Sequence, residues 1–303
     1  MPPRPPNVVR LKVDLPQLAG AQYVRLLRDR PMHMVCEIRL HGKPAYLKLF
    51  RNGDPADTVR RTEARLHEAA QALGQGQDAV VLPLHSVPDQ GVLVLEAAPG
   101  APSATVLASA RATRRAWLLG RIGSWLLRLT APSRERGTFG PRFWLTMAEE
   151  RLLTAEGDWI DRELVAGHMA QLRAEAFQLR GASVERAASH GDLTPDNIFW
   201  DETTGRMTGI DMQGGAMIPV ALDIARLLAW LEGRRPSPAA ETIDGIAAAD
   251  FDALVSVPGL LAEDQRPILR FLIGVMMLGY YLYCPRQPRR RGLLAEAMRN
   301  WIR

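Results

Sequence analysis

The spacing of apolar residues changes partway along this chain. At 23–27, 34–40 and 45–50 apolar positions alternate or come in short runs, which predicts strands. His41-Gly42-Lys43-Pro44 reads as a turn, so the second and third of these strands form a hairpin. A helix is predicted next, with Asp54 as its N-cap, Pro55 in the first helical position and Gly74 as its stop. Val59, Glu63, Leu66, Ala70 and Leu73 share one face of that helix, which puts an acid inside an apolar stripe. Residues 80–82 and 91–95 read as two more strands, and 96–102 as a linker broken by Pro and Gly. Beyond it the pattern is mostly helical, at 105–129, at roughly 144–179, and from Pro219 through Asp223 and Leu227 to Leu231. Two strands, 197–200 and 206–210, interrupt it, joined by a turn at 201–205. The expected division is therefore a sheet-bearing part, 1–98, whose first twenty residues are an irregular Pro-rich lead-in, and a helical part, 99–303.

Composition narrows the classes. Hydrophobic content of 47% and charged content of 23% fit a globular protein. The longest apolar run, 271–284, is short for a bilayer and predicts a buried helix. No apolar signal region stands at the N-terminus. Two cysteines, Cys36 and Cys284, form no disulfide framework. Together these lead to the expectation of a cytoplasmic protein. A net charge of +5 without interleaved aromatics gives no reason to expect nucleic-acid binding, while the basic run Arg286, Arg289, Arg290 and Arg291 permits contact with an anionic membrane surface or substrate. Lys12, Lys43 and Lys48 are the only lysines among 38 basic residues, so each invites inspection.

The densest chemistry lies at Ser189-His190-Gly191-Asp192-Leu193-Thr194-Pro195-Asp196-Asn197, just ahead of a strand. Gly and Pro exclude a helix interior, so carboxylates and an amide stand on a loop backed by a buried strand. Taken singly, each residue is an ordinary turn residue. The ordered set His-Gly-Asp-x-x-x-x-Asn arises by chance in about one chain in a thousand of this length, which makes it a motif. A second acidic loop, Asp211-Met212-Gln213-Gly214-Gly215, follows. Phosphoryl transfer asks for a cation on the nucleotide phosphates, hard oxygen ligands for Mg²⁺ and a carboxylate facing the attacking hydroxyl. Lys48, Asn197 with Asp211, and Asp192 match those needs. A lysine within an apolar strand also needs a fixed counter-charge, for which Glu63 is the nearest candidate.

These motifs, with Pro219 and Asp223-Ile224-Ala225-Arg226-Leu227 after them, resemble the aminoglycoside phosphotransferase and choline kinase family over about residues 23 to 230. The resemblance implies an α+β, two-lobed protein-kinase-like fold, with a small antiparallel-sheet N-lobe that binds nucleotide and a larger, mainly helical C-lobe. It implies an ATP- and Mg²⁺-dependent phosphotransferase acting on a hydroxyl of a small molecule or sugar. Asp192 would be the catalytic base, Asn197 and Asp211 the metal ligands, and Lys48 the holder of the α- and β-phosphates, itself held by Glu63. Backbone groups from Glu96 to Ala98 would meet the adenine, and His190 and Asp223 would brace the catalytic loop. The family closes over the phosphates with a small-residue turn. Here that turn is Arg28-Asp29-Arg30-Pro31-Met32-His33, without glycine. The same stretch resembles lipopolysaccharide core sugar kinases, which makes an envelope-glycan sugar an alternative acceptor. A non-catalytic nucleotide-binding scaffold is the other alternative. Trp144, Glu149, Glu150, Glu156, Asp158, Trp159 and Asp161 could cradle a cationic acceptor, while the C-terminal arginines suit an anionic one.

Overall fold

The computed structural model describes residues 15, 18–51, 53–212 and 216–303. It divides into two compact units: Met1–Gly100 with Asp201–Gly215, and Ala101–Trp200 with Ala216–Arg303. The first break falls two residues past the expected 98/99, and the segment Asp201–Gly215, expected in the second part, belongs with the first.

The first unit opens with three antiparallel strands, β1 (Gln22–Asp29), β2 (His33–Leu40) and β3 (Lys43–Phe50). Helix α1 (Pro55–Leu73) follows, then β4 (Asp78–Val80), β5 (Pro83–Val87) and β6 (Val92–Glu96). The main sheet runs β1-β2-β3-β6-β5. Alternation along β2 sends Met34, Cys36, Ile38 and Leu40 into a core shared with Ala45, Leu47, Val92 and Val94. Helix α1 starts where the sequence predicts. The Asp54 carboxylate accepts the Asp57 N–H at 3.0 Å, and the N–H of Gly74, at φ 67°, closes on the Ala70 carbonyl. Its face buries Val59, Leu66, Ala69 and Leu73.

In the second unit, β7 (Ala101–Pro102) leads into α2 (Ser103–Ser109), α3 (Ala112–Thr130), β8 (Glu135–Thr138), α4 (Pro141–Leu153), α5 (Arg162–Gln178) and β9 (Ser183–Ala188). The loop 189–197 follows, then β10 (Ile198–Asp201). Two of the long predicted helices are each broken. Ala110 and Arg111 turn extended, at ψ 138° and 159°, and separate α2 from α3. Gly157, at φ 126°, lies between α4 and α5, and Asp161 restarts the helix by accepting the Leu164 N–H at 3.0 Å. The linker also carries structure, since Ala101 and Pro102 of β7 pair with Trp200 and Phe199.

Strand β11 (Arg206–Gly209) explains why Asp201–Gly215 groups with the first unit. It runs parallel to β4, with Met207, Thr208 and Gly209 opposite Asp78, Ala79 and Val80. Backbone bonds from Met207 N–H to Gln77 and from Val81 N–H to Gly209 extend the pair. The chain then enters β12 (Met217–Pro219), which joins β9 and β8 in a three-stranded sheet, and α6 (Val220–Glu232). Helices α7 (Ala248–Val255), α8 (Arg266–Leu282) and α9 (Pro288–Ile302) complete the second unit. The apolar run at 271–284 lies mostly in α8 and is buried nearly all round. Among the described residues no helix is long and apolar enough to cross a membrane.

Candidate active site

In the first unit, Lys48 lies mid-strand in β3, opposite Val35 and Leu93. Its ammonium donates to Asp211 Oδ1 at 2.5 Å, with the Lys48 side chain 17% exposed. Asp211 stands just past β11 at φ 59°, a left-handed conformation that costs a non-glycine residue about a kilocalorie or more and aims its carboxylate away from the strand path. The expected Lys48–Glu63 pair is not formed. Glu63 is half-buried on α1 and its carboxylate makes no ion pair or hydrogen bond among the described residues. One close carboxylate already satisfies the ammonium, and Glu63 keeps its head partly in water.

The glycine-free turn narrows to three residues, Arg30 to Met32, because β1 and β2 run on either side of it. Arg51 fastens it, donating to Asp29 Oδ1 at 2.6 Å and to the Arg30 carbonyl. Behind it, burial first, and then the charges of Lys48, Arg28 and Arg30, hold the His33 pKa below its ordinary value despite the opposing Asp211. The turn therefore offers positive side chains where glycine amides were absent. Sequence reasoning placed His33 in this turn and gave it no separate role.

Glu96 ends β6 with its backbone already engaged. Its N–H bonds the Leu82 carbonyl and its carboxylate accepts the Leu82 N–H, each at 3.1 Å. The expected adenine contact thus cannot come from the Glu96 amide. Ala98, past the strand, has no hydrogen-bond partner among the described residues.

In the second unit, the loop is built around Asp223, on the first turn of α6 and fully buried. Asp223 Oδ2 accepts the Ser189 hydroxyl at 2.6 Å and the Gly191 N–H at 3.0 Å, and Oδ1 takes the Leu193 N–H at 3.4 Å. His190 is buried beside Trp125, ring centroids 6.0 Å apart, and its Nδ1 accepts the Asp192 N–H at 3.2 Å. Gly191, at φ 83°, makes the bend that turns Asp192 outward, its side chain 45% exposed. Asn197 closes the loop, donating Nδ2 to the Asp192 carbonyl at 2.9 Å and to Asp192 Oδ2 at 3.3 Å. Arg226, one turn beyond Asp223, completes the set. It donates to the Gly191 carbonyl, lies 3.5 Å from Asp223 Oδ1, and stands 3.7 Å from Asp192 Oδ1. Sequence reasoning gave Arg226 no role, although an arginine three residues after an acid in an otherwise apolar helix was the available signal.

Among the described residues no three His, Cys, Asp or Glu side chains are grouped to hold a metal alone. The donor types of Asn197 and Asp211, taken one by one, are those Mg²⁺ accepts. Both contacts of Asn197 Nδ2 go to Asp192, which leaves its amide oxygen to face elsewhere, and Asp211 supplies a carboxylate. Each is a donor type that a hard cation accepts.

This combination of fold and loop is that of a phosphotransferase. Residues 36–255 match the model of the phosphotransferase enzyme family, and the chain belongs to that family. It is an enzyme, a phosphotransferase with an alcohol group as acceptor. Among curated proteins, none matches the sequence. Solved structures share the fold at low identity. Amicoumacin kinase hAmiN, in complex with AMP-PNP, Ca²⁺ and Ami, has 18% identity and a TM-score of 0.61, covering 98% of this chain and 93% of its own. Aminoglycoside phosphotransferase APH(4)-Ia has 13% identity and a TM-score of 0.61, with 98% of each chain covered. Aminoglycoside-3'-phosphotransferase of type VIII has 20% identity and a TM-score of 0.55, covering 88% of this chain and 97% of its own. The protein-kinase-like α+β fold, with its antiparallel-sheet N-terminal region and helical C-terminal region, is thereby established.

Proposed function

We propose that this chain transfers the γ-phosphoryl group of ATP, assisted by Mg²⁺, to a hydroxyl of a small molecule or sugar. The observation that carries the reading is the tether between Asn197 and Asp192. One amide fixes both the backbone and the carboxylate of the residue facing the acceptor, and keeps its own oxygen for a cation. Bound metal would neutralise charge on the phosphates, with Asn197 and Asp211 as its protein ligands. Lys48 holds the α- and β-phosphates, and Arg28 or Arg30 stands in for the missing glycine amides. Asp192 orients the acceptor hydroxyl and takes its proton as the new O–P bond forms. The bond from the γ-phosphorus to the bridging oxygen breaks, and ADP leaves with that oxygen. Arg226 and Asp223 keep the loop from drifting, which matters because positioning supplies most of the catalysis in this chemistry.

The test is Mg²⁺-dependent thermal stabilisation by ATP, followed by ADP release over a panel of amines, sugars and nucleosides. The expected result is ATP binding and turnover on some member, with Asp192→Ala binding ATP but turning nothing over. Absence of ATP binding by the wild type would refute the reading. Binding without turnover across the panel would favour a nucleotide-binding scaffold.

A further inference from the structure

The second unit contains a cleft of about 350 Å³ lined by Arg234, Arg235, Arg289 and Arg290, with Gln287 and Leu293. Two of the arginines are engaged. Arg235 donates to Asp250 Oδ2 at 2.8 Å and lies 3.8 Å from Glu232, and Arg289 donates to the Pro236 carbonyl at 2.8 Å. Arg234 and Arg290 are not. Neither side chain makes an ion pair or a hydrogen bond among the described residues, and Arg290 Nε is buried without an acceptor. Each rests on an aromatic ring instead, Arg234 at 3.7 Å over Trp230 and Arg290 at 5.5 Å over Tyr280. Stacking fixes a guanidinium plane and leaves its N–H edge unspent, the arrangement that suits a carboxylate or phosphate.

The charges press on each other. Burial of its head, and then the charge of Arg290, lower the Arg234 pKa, and Asp196 of the catalytic loop, with which it forms no ion pair, opposes the shift. Tyr280, under Arg290, lies in the field of both the cleft and the reacting end. Its hydroxyl, pushed up to about 12 chiefly by burial, feels Arg226, Asp192, Arg290 and Arg234 together. Two of the five acids that would have suited a cationic acceptor are meanwhile occupied. Glu149 accepts from Arg173 at 2.8 Å, and Asp161 caps α5 and pairs with Arg299 at 3.2 Å. Trp159 lies under the guanidinium of Arg291, 5.3 Å away.

We propose that the acceptor carries an anionic group, a phosphate or a carboxylate, gripped by Arg234 and Arg290 while its hydroxyl meets Asp192. This rests on the kinase reading but has its own readout. Protein saturated with Mg²⁺ and AMP-PNP, so that the nucleotide site is filled, is titrated calorimetrically with glycerol 3-phosphate as the probe. Saturable binding is expected, weakened at least about tenfold in Arg234→Gln and separately in Arg290→Gln, and unaltered in the surface control Arg142→Gln. ADP release is then compared for glucose, glucose 6-phosphate and glucuronate. An anionic member should be preferred, which one telling phosphate from carboxylate, and the preference should fall about tenfold in Arg290→Gln through KM. The proposal is overturned if the probe does not bind saturably, if binding ignores both arginines, or if the neutral sugar is preferred. Should AMP-PNP itself fail to bind, the kinase reading falls, and the probe titration without nucleotide still decides for or against the arginine site.

Discussion

The Ser189 hydroxyl meets the buried Asp223 carboxylate at 2.6 Å, and the same carboxylate gathers the Gly191 and Leu193 amides. One side chain on a helix thus sets the path of the loop that carries Asp192. Asp223→Ala would strand these donors and leave Arg226 short of a counter-charge, at a cost of roughly 3–5 kcal/mol. Ser189→Ala should cost only about 1 kcal/mol. Urea denaturation of the two variants checks the difference, and ADP release by Asp223→Ala should fall at least about a hundredfold as the loop loses its geometry.

Arg226 touches the loop at the Gly191 carbonyl and the Asp192 carboxylate. Arg226→Met is expected to lower kcat about tenfold or more while the nucleotide KM stays within about twofold, with partial recovery in Arg226→Lys. Steady-state kinetics with ATP and acceptor varied in turn reads this out.

Lys48 pairs with Asp211, not with Glu63. Lys48→Met should therefore weaken ATP affinity about tenfold or more, and Glu63→Gln should weaken it less. Equal losses in a nucleotide titration would restore the Glu63 pairing to the mechanism.

His168 adds a pH dependence to stability. It is buried, with Nε2 2.9 Å from the Gly274 carbonyl, and burial drives its pKa from 6.5 down to about 4. Above pH 6.5 the ring is neutral in both folded and unfolded chains. Between 6.5 and about 4 the unfolded chain binds a proton that the folded one refuses, so stability falls as pH falls. The loss should reach about 2 kcal/mol by pH 5. Urea melts at about pH 7.5 and pH 5 should show it in wild type, with the difference shrinking by that amount in His168→Gln.

Much of this was legible because it is local. The His190–Asn197 loop shows itself by its own Gly and Pro, though Asp223 holds its path, and the Asp54 cap and Gly74 stop of α1 are fixed by their immediate neighbours. What escaped depends on distant partners. Lys48 found its acid through a left-handed turn at Asp211, which no periodicity encodes. Strand β5 was missed because Pro83-Leu84-His85-Ser86-Val87 barely alternates, and it forms by pairing with β6. The unpaired pair Arg234 and Arg290 comes from two elements far apart in sequence, where each reads only as part of a basic run.

The parallel pairing of β11 with β4 has a bearing on the order in which the chain is assembled. The first unit cannot be finished when its first hundred or so residues leave the ribosome, because its last strand is made after the whole stretch Ala101–Trp200. Asp78, buried in β4, must wait for Met207, so loop closure over that distance falls late in folding. The same delay governs Asp211, which directly follows β11, and so Lys48 gains its counter-charge only when that strand docks. The first unit is thus completed from both ends of the translation interval, and a fragment ending at Gly100 would lack the strand that closes it.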